Sequence, residues 1–264
     1  MVQEMAEKSQ LIHDASWQQK QRRFARERFA RAQRLERDYL RRLRQVSEQI
    51  DALVKGYAPR GVVFSMPQLR QMLEDYSKLL RPWAKQVASD LLSEIAKKNE
   101  LAWIQHGREI GKELKKELQN APTGVVLQQL LHEQVELITS LPLDAAERVH
   151  KLTVEALSNS GRADAIAKEI LRSGEVSKNR ATLIARTEVA RTASLLTQVR
   201  SQHVGSEYAI WRTSRDGNVR ESHKKMEGVI FKWDDPPIVD GEPLLPGRTF
   251  NCRCFCSPIF TDDE

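Results

Sequence analysis

The C-terminal part of the sequence concentrates residues that could bind a metal ion. Cys252 and Cys254 are separated by one residue, and Asp216 and His223 precede them. Two thiolates, an imidazole and a carboxylate are the ligands of a tetrahedral zinc site. If a strand carries the cysteines, its alternation places these two thiols and that of Cys256 on one face. A two-residue gap between cysteines is the more usual zinc spacing, and the alternative is three reduced thiols that pack as small apolar groups.

The same region could also support hydrolysis. In that interpretation His223 is the general base, Asp216 orients it and Arg220 holds a phosphate. The sequence lacks a P-loop, a dinucleotide fingerprint, a nucleophile elbow and the carboxylate cluster of a metal-dependent nuclease. We therefore expect no enzyme, and a metal-dependent or His-based phosphodiesterase or nuclease stays as an alternative.

Positive charge is concentrated near the N-terminus. The 264 residues carry 42 basic and 36 acidic side chains, a net charge of +6, yet the segment from Lys20 to Arg44 alone carries +8. Arginine makes planar, bidentate contacts with phosphates and carboxylates. No base-reading motif accompanies the segment, so contact with DNA would be non-specific and salt-sensitive. We expect this basic segment to bind DNA or an acidic protein surface. The alternative is that it forms a solvated helix face without a partner. The candidate residues are Arg22, Arg23, Arg26, Arg34, Arg37, Arg41, Arg42 and Arg44.

The elements that position these residues follow from the distribution of chain breakers. Glycine and proline are sparse before residue 204 and frequent after it, which predicts a helical body followed by a turn-rich module. An apolar stripe predicts a long helix from Trp17 to Gly56. Further helices are predicted at residues 65–82, 83–119, 124–139, 143–159, 162–172 and 177–203. Ser177 is the predicted N-cap of the last one. Short strands are predicted at residues 207–213, 229–231 and 250–259.

The predicted fold class is α+β, with long N-terminal helices and a helical body followed by a small C-terminal module of short antiparallel strands. The predicted domains are a helical arm, residues 1–120, and a second domain, residues 121–264. The second domain is predicted to be helical over 121–204 and strand-rich over 205–264.

In the last predicted helix, residues 177–203, Arg186 and Glu188 lie on different faces. Unless they are solvated, we expect them to reach the C-terminal module, for example Arg186 to Asp216 or Glu188 to Arg220.

Composition excludes several classes of protein. The mean hydropathy is −0.54, and no apolar run reaches the ~18 residues that a transmembrane helix needs. The first twenty residues lack the apolar stretch of a secretory signal. The cysteines number three and lie within five residues, which indicates reduced thiols in a cytoplasm rather than a disulfide framework.

Over about residues 125–260 the sequence resembles the C-terminal domain of the phage Mu protein F-like head morphogenesis proteins. The resemblance rests on the order and spacing of Ala185-Arg186-Thr187-Glu188, Trp211, Asp216, Arg220, His223, Gly228, Pro246 and Asn251-Cys252-Arg253-Cys254. Cys256 lies outside this pattern. The implied signature positions are Arg186, Glu188, Asp216, Arg220, His223, Gly228, Cys252, Arg253 and Cys254, which would organise a small fold or a metal ion rather than catalyse.

The resemblance also implies a role. It implies a minor capsid protein of a tailed phage or prophage, made in the host cytoplasm and incorporated inside the head near the portal. The expected partners are the portal protein, a capsid or scaffold protein, and packaged DNA contacted non-specifically, with no membrane. The expected activity is prohead assembly, with DNA packaging or delivery as further roles. A non-specific DNA-binding protein without a virion role is a further alternative.

Overall fold

The computed structural model describes residues 15–57, 66–109, 121–158 and 163–259. The first elements in these ranges are helices α1 (Ala15–Tyr57), α2 (Met66–Glu109), α3 (Thr123–Ser158), α4 (Ala163–Leu171) and α5 (Ser173–His203). They are followed by β1 (Tyr208–Arg212), α6 (Glu221–Lys224), β2 (Ile230–Lys232), β3 (Ile238–Val239), β4 (Glu242–Pro243) and β5 (Phe255–Ile259). The predicted α+β class is confirmed. Within these ranges, no helix combines the length and the apolar character that crossing a membrane requires.

Several helix ends differ from the prediction. Pro82 lies inside α2 and Pro142 inside α3, so the helices predicted on either side of each proline are one helix. A proline inside a helix removes one backbone hydrogen bond and introduces a steric clash. The packing of a long helix along its apolar stripe can offset this loss of free energy. Ser177 is not an N-cap, because α5 begins at Ser173 and buries Ser177 within it.

One predicted boundary lies outside the described residues. The helix predicted to reach residue 119 is described as far as Glu109, and residues 110–120 fall in a gap between the described ranges. The division into domains 1–120 and 121–264 therefore stays a prediction.

The chain forms two compact units, and the first is made of residues 36–93 and 127–188. We call it the helical unit. It buries the apolar stripes of its helices, as a period of 3.6 residues predicts. Ion pairs join its helices at their surfaces, among them Arg42 with Asp90 at 2.8 Å and Arg180 with Asp144 at 2.6 Å. Its fully buried apolar side chains include Leu43, Ile50, Leu69, Leu73, Ile138 and Leu141.

Gly174 marks a close approach in the helical unit. It is the second residue of α5 and is buried against Asp51 of α1. A Cβ atom at residue 174 would lie 2.4 Å from the Asp51 Cβ, well inside van der Waals contact. Because the Asp51 Cβ is bound to the helix backbone, a side-chain rotation cannot relieve this overlap.

The second unit comprises residues 1–35, 94–126 and 189–264 and contains the strands. We call residues 205–259 the C-terminal module. Its three-stranded sheet has the order β2-β1-β5 and is antiparallel throughout. In the register, Ala209 faces Phe231 on one side and Pro258 on the other, and Trp211 faces Cys256. β3 and β4 pair antiparallel as a short separate hairpin.

The core of the module combines aromatic rings with thiols. Trp211 is fully buried, and its ring packs edge-on against Phe231, which packs edge-on against Trp233. All three cysteines are buried in the same cluster as these rings. The module is tied to α5 by the Ser194 hydroxyl, which donates to the Pro246 carbonyl at 2.7 Å. A small core of aromatic rings and thiols therefore positions the candidate site.

Candidate functional site

Three of the four predicted metal ligands meet in the C-terminal module. His223 Nδ1 lies 3.4 Å from the Cys252 Sγ and 3.5 Å from the Cys254 Sγ. The three possible ligand atoms all lie within 4.8 Å of one another, and all three residues are buried. We call this group the His–Cys–Cys cluster. An imidazole and two thiols at this separation are a donor set that suits zinc.

Two short local structures bring these side chains together. Arg220 has extended backbone angles and ends the preceding turn, and the single turn α6 then directs His223 inward. Asn251 adopts a left-handed φ of 59° just before Cys252, a conformation that asparagine tolerates better than most residues. The cysteine pair therefore lies on the turn that enters β5.

The prediction that one strand carries all three cysteines is wrong. β5 begins at Phe255, so Cys252 and Cys254 precede it and Cys256 alone lies on the strand. The Cys256 Sγ lies 4.0 Å from the Ser194 hydroxyl. An irregular segment can converge two thiols on one point, whereas strand residues i and i+2 stand parallel about 6–7 Å apart along the strand.

Asp216 is not part of the cluster. One of its carboxylate oxygens lies 3.0 Å from Arg253 NH2, and the other accepts the Asn218 backbone N–H at 3.0 Å. Both oxygens are therefore used to fix the turn around Gly217 and to join it to the cysteine segment. This contact corrects the prediction of Asp216 as a metal ligand and also explains why Arg253 stands between the two cysteines.

A carboxylate that the sequence analysis did not select lies beside the histidine instead. Asp240 Oδ2 is 3.6 Å from His223 Nε2, and the carboxylate is half exposed. Asp240 and Gly241 both have positive φ, 55° and 89°, as the two-residue Asp-Gly turn between β3 and β4 requires. The Asp-Gly signal predicts the turn, but its proximity to His223 depends on the tertiary fold.

The two thiols of the cluster share one negative charge. A hydrogen bond from Cys254 lowers the pKa of Cys252 against the effect of burial, and the backbone N–H groups of Cys254 and Gly247 lower it further. The same hydrogen bond raises the pKa of Cys254, and burial raises it again. Without a cation, the pair therefore favours one thiolate and one thiol.

Two further signature positions have structural roles nearby. Arg220 donates to the Thr249 hydroxyl at 3.1 Å and to the Phe250 carbonyl at 2.8 Å, and so holds the chain ahead of the cysteines. Gly228 has φ +86° and donates its N–H to the Trp211 carbonyl at 2.9 Å. A left-handed residue at this place in the sheet favours glycine.

Glu227 is a second residue that the sequence analysis did not select. Its carboxylate accepts the backbone N–H and the hydroxyl of Thr213, both at 2.7 Å, and the Arg215 guanidinium at 2.7 Å. Burial raises the pKa of Glu227, but these hydrogen bonds outweigh it and hold the pKa below the ordinary value. A single glutamate has no sequence pattern that would reveal such a role.

The signature pair of α5 has contacts in the helical unit. Arg186 pairs with Glu36 of α1 through its Nε at 3.0 Å. Glu188 is buried, and its charge adds to burial in raising the pKa of Tyr39. The contacts predicted with the C-terminal module, Arg186 to Asp216 and Glu188 to Arg220, stay predictions.

The arginine-rich segment lies on α1, as predicted. The side chains of Arg22, Arg23 and Arg26 are outside the described part of the structure. Arg34, Arg37, Arg41 and Arg44 are exposed, whereas the apolar stripe that includes Leu35, Tyr39, Leu43, Val46 and Ile50 is buried. Arg42 differs from the others, since it pairs with Asp90 of α2 at 2.8 Å and uses its charge within the protein.

Helices followed by a small antiparallel sheet with a buried His–Cys–Cys cluster define an α+β protein whose C-terminal module is organised around thiols. The comparison with protein families agrees with this description. Residues 147–257 match the family described as phage Mu protein F like protein. The matched range contains every signature residue named above, which confirms the resemblance seen in the sequence.

Two relatives extend the comparison. The chain is 29% identical over 203 residues to an uncharacterized protein of Haemophilus influenzae, an alignment that covers 76% of this chain and 45% of the relative. It is 30% identical over 95 residues to an uncharacterized protein of Methanocaldococcus jannaschii, covering 36% of this chain and 14% of the relative. The chain thus spans less than half the length of these curated relatives. No solved structure matches the chain.

Proposed function

We propose that this protein is a minor component of a tailed-phage or prophage head that docks on the portal and acts in prohead assembly. The observation that carries the proposal is the family match over residues 147–257, which associates the chain with head morphogenesis. Packaging or delivery of DNA is a further role of the same component. In this proposal the protein resides inside the head, with a capsid or scaffold protein as an additional partner.

The exposed arginines of α1 support an anionic partner. At 100° per residue, Arg37, Arg41 and Arg44 fall within about 60° around the helix and about 10 Å along it. The structure gives Arg37 and Arg44 no acidic partner among the described residues, and Arg41 contacts the exposed Asp38 at 3.1 Å. An ion pair this exposed contributes little stability and is readily exchanged for another. We call these three residues the arginine stripe.

The chemistry of the arginine stripe limits the contact that it makes. Guanidinium groups on one line match the repeated phosphates of DNA or the carboxylates of an acidic portal surface. Phosphate contacts fix position without reading sequence, so the stripe would hold packaged DNA of any sequence. Because such binding releases counterions, its affinity falls steeply as salt is raised.

The hydrolase alternative is less well supported by the geometry. It requires Asp216 to orient His223 and Arg220 to hold a phosphate. In the structure Asp216 pairs with Arg253, Arg220 holds the Thr249 hydroxyl and a backbone carbonyl, and His223 is buried between thiols. Each group has a structural partner of its own, and we therefore retain the assembly role.

The portal contact is tested in proheads. Proheads assembled from the phage or prophage genes with the portal should contain the protein, and proheads assembled without the portal should lack it. Equal amounts in both would contradict docking on the portal. Retention of the protein outside the particle in both preparations would contradict a head location altogether.

The arginine stripe is tested by a triple variant, Arg37→Gln, Arg41→Gln and Arg44→Gln. Each lost phosphate contact should reduce the slope of log affinity against log salt by about 0.9 on duplex DNA, so we expect a reduction of up to about 2.7 with unchanged circular dichroism. The control is Lys85→Gln, Lys97→Gln and Lys168→Gln, which removes the same charge from exposed positions on other helices.

The same two variants are then incubated with portal protein. Loss of portal binding in the stripe variant but not in the control identifies an acidic protein surface as the partner. Equal loss in the two variants on both DNA and portal would show that net charge, rather than the stripe, determines binding.

A further inference from the structure

We propose that His223 Nδ1, Cys252 Sγ and Cys254 Sγ bind one Zn²⁺ ion, which fastens the α6 turn to the segment that enters β5. The inference does not depend on the proposed role in the phage head. It rests on the geometry of the His–Cys–Cys cluster, on the hydrogen-bonding capacity of its histidine and on the groups that surround it.

The spacing of the cluster fits a tetrahedral ion. With Zn–S bonds of about 2.3 Å and Zn–N bonds of about 2.0–2.1 Å, a sulfur and a nitrogen ligand stand about 3.5 Å apart. The two sulfur-to-nitrogen distances are 3.4 and 3.5 Å. The two edges of the tetrahedron that join the histidine to the cysteines therefore already have the required length.

Hydrogen bonding alone does not account for this arrangement. An imidazole nitrogen has either one lone pair or one proton in the ring plane, so Nδ1 can make one good hydrogen bond. Two sulfur atoms lie at hydrogen-bonding distance from it, and both thiols are buried. An ion between the three atoms satisfies all of them together.

The second histidine nitrogen is arranged as zinc ligation requires. When Nδ1 binds a metal, Nε2 carries the proton, and metal-binding histidines usually donate it to a carboxylate. His223 is 2% exposed, and its Nε2 has no hydrogen-bond partner among the described residues. Asp240 Oδ2, 3.6 Å away on a half-exposed side chain, needs to move by less than 1 Å to accept this proton.

The backbone also favours a metal-bound thiolate at Cys252. The Cys254 N–H points at the Cys252 Sγ over 3.4 Å, and the Gly247 N–H donates to the same sulfur. Gly247 has φ +82°, and a Cβ there would lie 2.8 Å from the Cys254 carbonyl. A glycine at this position allows the backbone to approach the cysteine segment closely.

The donor set defines the ion and its coordination. Two thiolates neutralise the charge of Zn²⁺, and mixed sulfur and nitrogen ligands favour zinc over magnesium or calcium. Binding displaces the one remaining thiol proton, that of Cys254, to solvent as the two Zn–S bonds form. Three protein ligands leave one position of the tetrahedron for water. Cys256 belongs to β5 and is not a member of the ligand group.

The first experiment uses the full chain purified under reducing conditions without a polyhistidine tag. We expect one zinc per chain by elemental analysis after dialysis, and X-ray absorption should show two sulfur neighbours at about 2.3 Å. Substituted Co²⁺ should give thiolate charge-transfer absorption. A folded protein that carries no zinc after refolding with it, or an ion without two sulfur neighbours, overturns the proposal.

Variants then assign the ligands. His223→Ala, Cys252→Ser and Cys254→Ser should each lose stoichiometric zinc, and the matched control Cys256→Ser removes the third buried thiol and should keep it. Asp240→Asn should weaken zinc binding about tenfold while leaving two sulfur neighbours. Equal zinc loss in the Cys256 and Cys254 variants contradicts the assignment. If ligand variants fail to fold, the wild-type absorption data still decide.

Discussion

The helical unit and the C-terminal module are stabilised in different ways. The helical unit buries apolar stripes along long helical segments and surrounds them with exposed ion pairs. The module has strands of at most five residues, and its buried core consists of two tryptophans, three cysteines and the apolar side chains of Ala209, Phe231, Val239 and Leu245. Its stability therefore rests on individual contacts, whereas that of the helical unit is spread over many similar ones.

This difference explains where the signature residues have their effect. In the module, the Asp216–Arg253 pair, Arg220 and the His–Cys–Cys cluster each connect segments that are distant in sequence. Short strands give little cooperative support to such loops. In the helical unit, the Arg186–Glu36 pair joins helices that are already packed through apolar side chains.

Removing Trp211 should have the largest effect of the substitutions that test this contrast. Trp211→Ala should cost about 3–5 kcal/mol by leaving a cavity in the small core of the C-terminal module. In a background in which Trp17, Trp83 and Trp103 are replaced by Phe, the fluorescence of Trp233 reports the module and should therefore change at lower denaturant than far-UV circular dichroism, which reports the helices.

The matched substitution in the helical unit is Leu43→Ala, which removes another fully buried side chain. It should cost about 2–5 kcal/mol and shift mainly the circular dichroism transition. If each variant shifted both transitions equally, the two regions would unfold together and the contrast would be wrong.

The two regions also differ in how far the sequence predicts them. The stripe from Leu35 to Leu53 predicts α1 closely, since a period of 3.6 residues is repeated over many turns. The separation of helices at Pro82 and Pro142 is wrong, because tertiary packing outweighs a local break. In the module, the strand at 207–213 and the Asp-Gly turn are predicted from local signals.

The candidate site is also predictable only in part, because local signals give its residue types but not the paths of its loops. The residue types and spacing of His223, Cys252 and Cys254 suggest one site, and the structure brings them together. The carboxylate was assigned to Asp216, whereas Asp240 lies beside the histidine. Which of two turn aspartates faces the cluster depends on loop paths, and no periodicity encodes these.

A smaller effect is expected at Gly174, where the helical unit has one contact as specific as those of the module. Gly174→Ala should destabilise the protein by about 1–3 kcal/mol, because its Cβ would overlap with the Asp51 Cβ. The measurement is the denaturation midpoint by circular dichroism. Gly124→Ala, at a helical glycine with open space around it, should instead be neutral or stabilise by up to about 1 kcal/mol. Equal denaturation midpoints for the two variants would show that the close approach of Gly174 to Asp51 does not affect the free energy of unfolding.

The smallest effect, and the one that depends most on pH, is expected at Glu227. Its pKa is held below the ordinary value in the folded protein, so its ionised form stabilises the module at pH above the unfolded value of about 4.3, and this stability is lost as the pH falls through the folded pKa. Glu227→Gln should cost about 1 kcal/mol at neutral pH and flatten the acid dependence, measured by tryptophan fluorescence in the background that keeps only the module's Trp211 and Trp233. Glu221→Gln, at an exposed carboxylate that contacts Lys224, should leave the stability close to that of the wild type, since exposed ion pairs contribute little. A wild-type module whose stability did not fall between about pH 5 and pH 3 would show that the bonds to Thr213 and Arg215 do not require the charge.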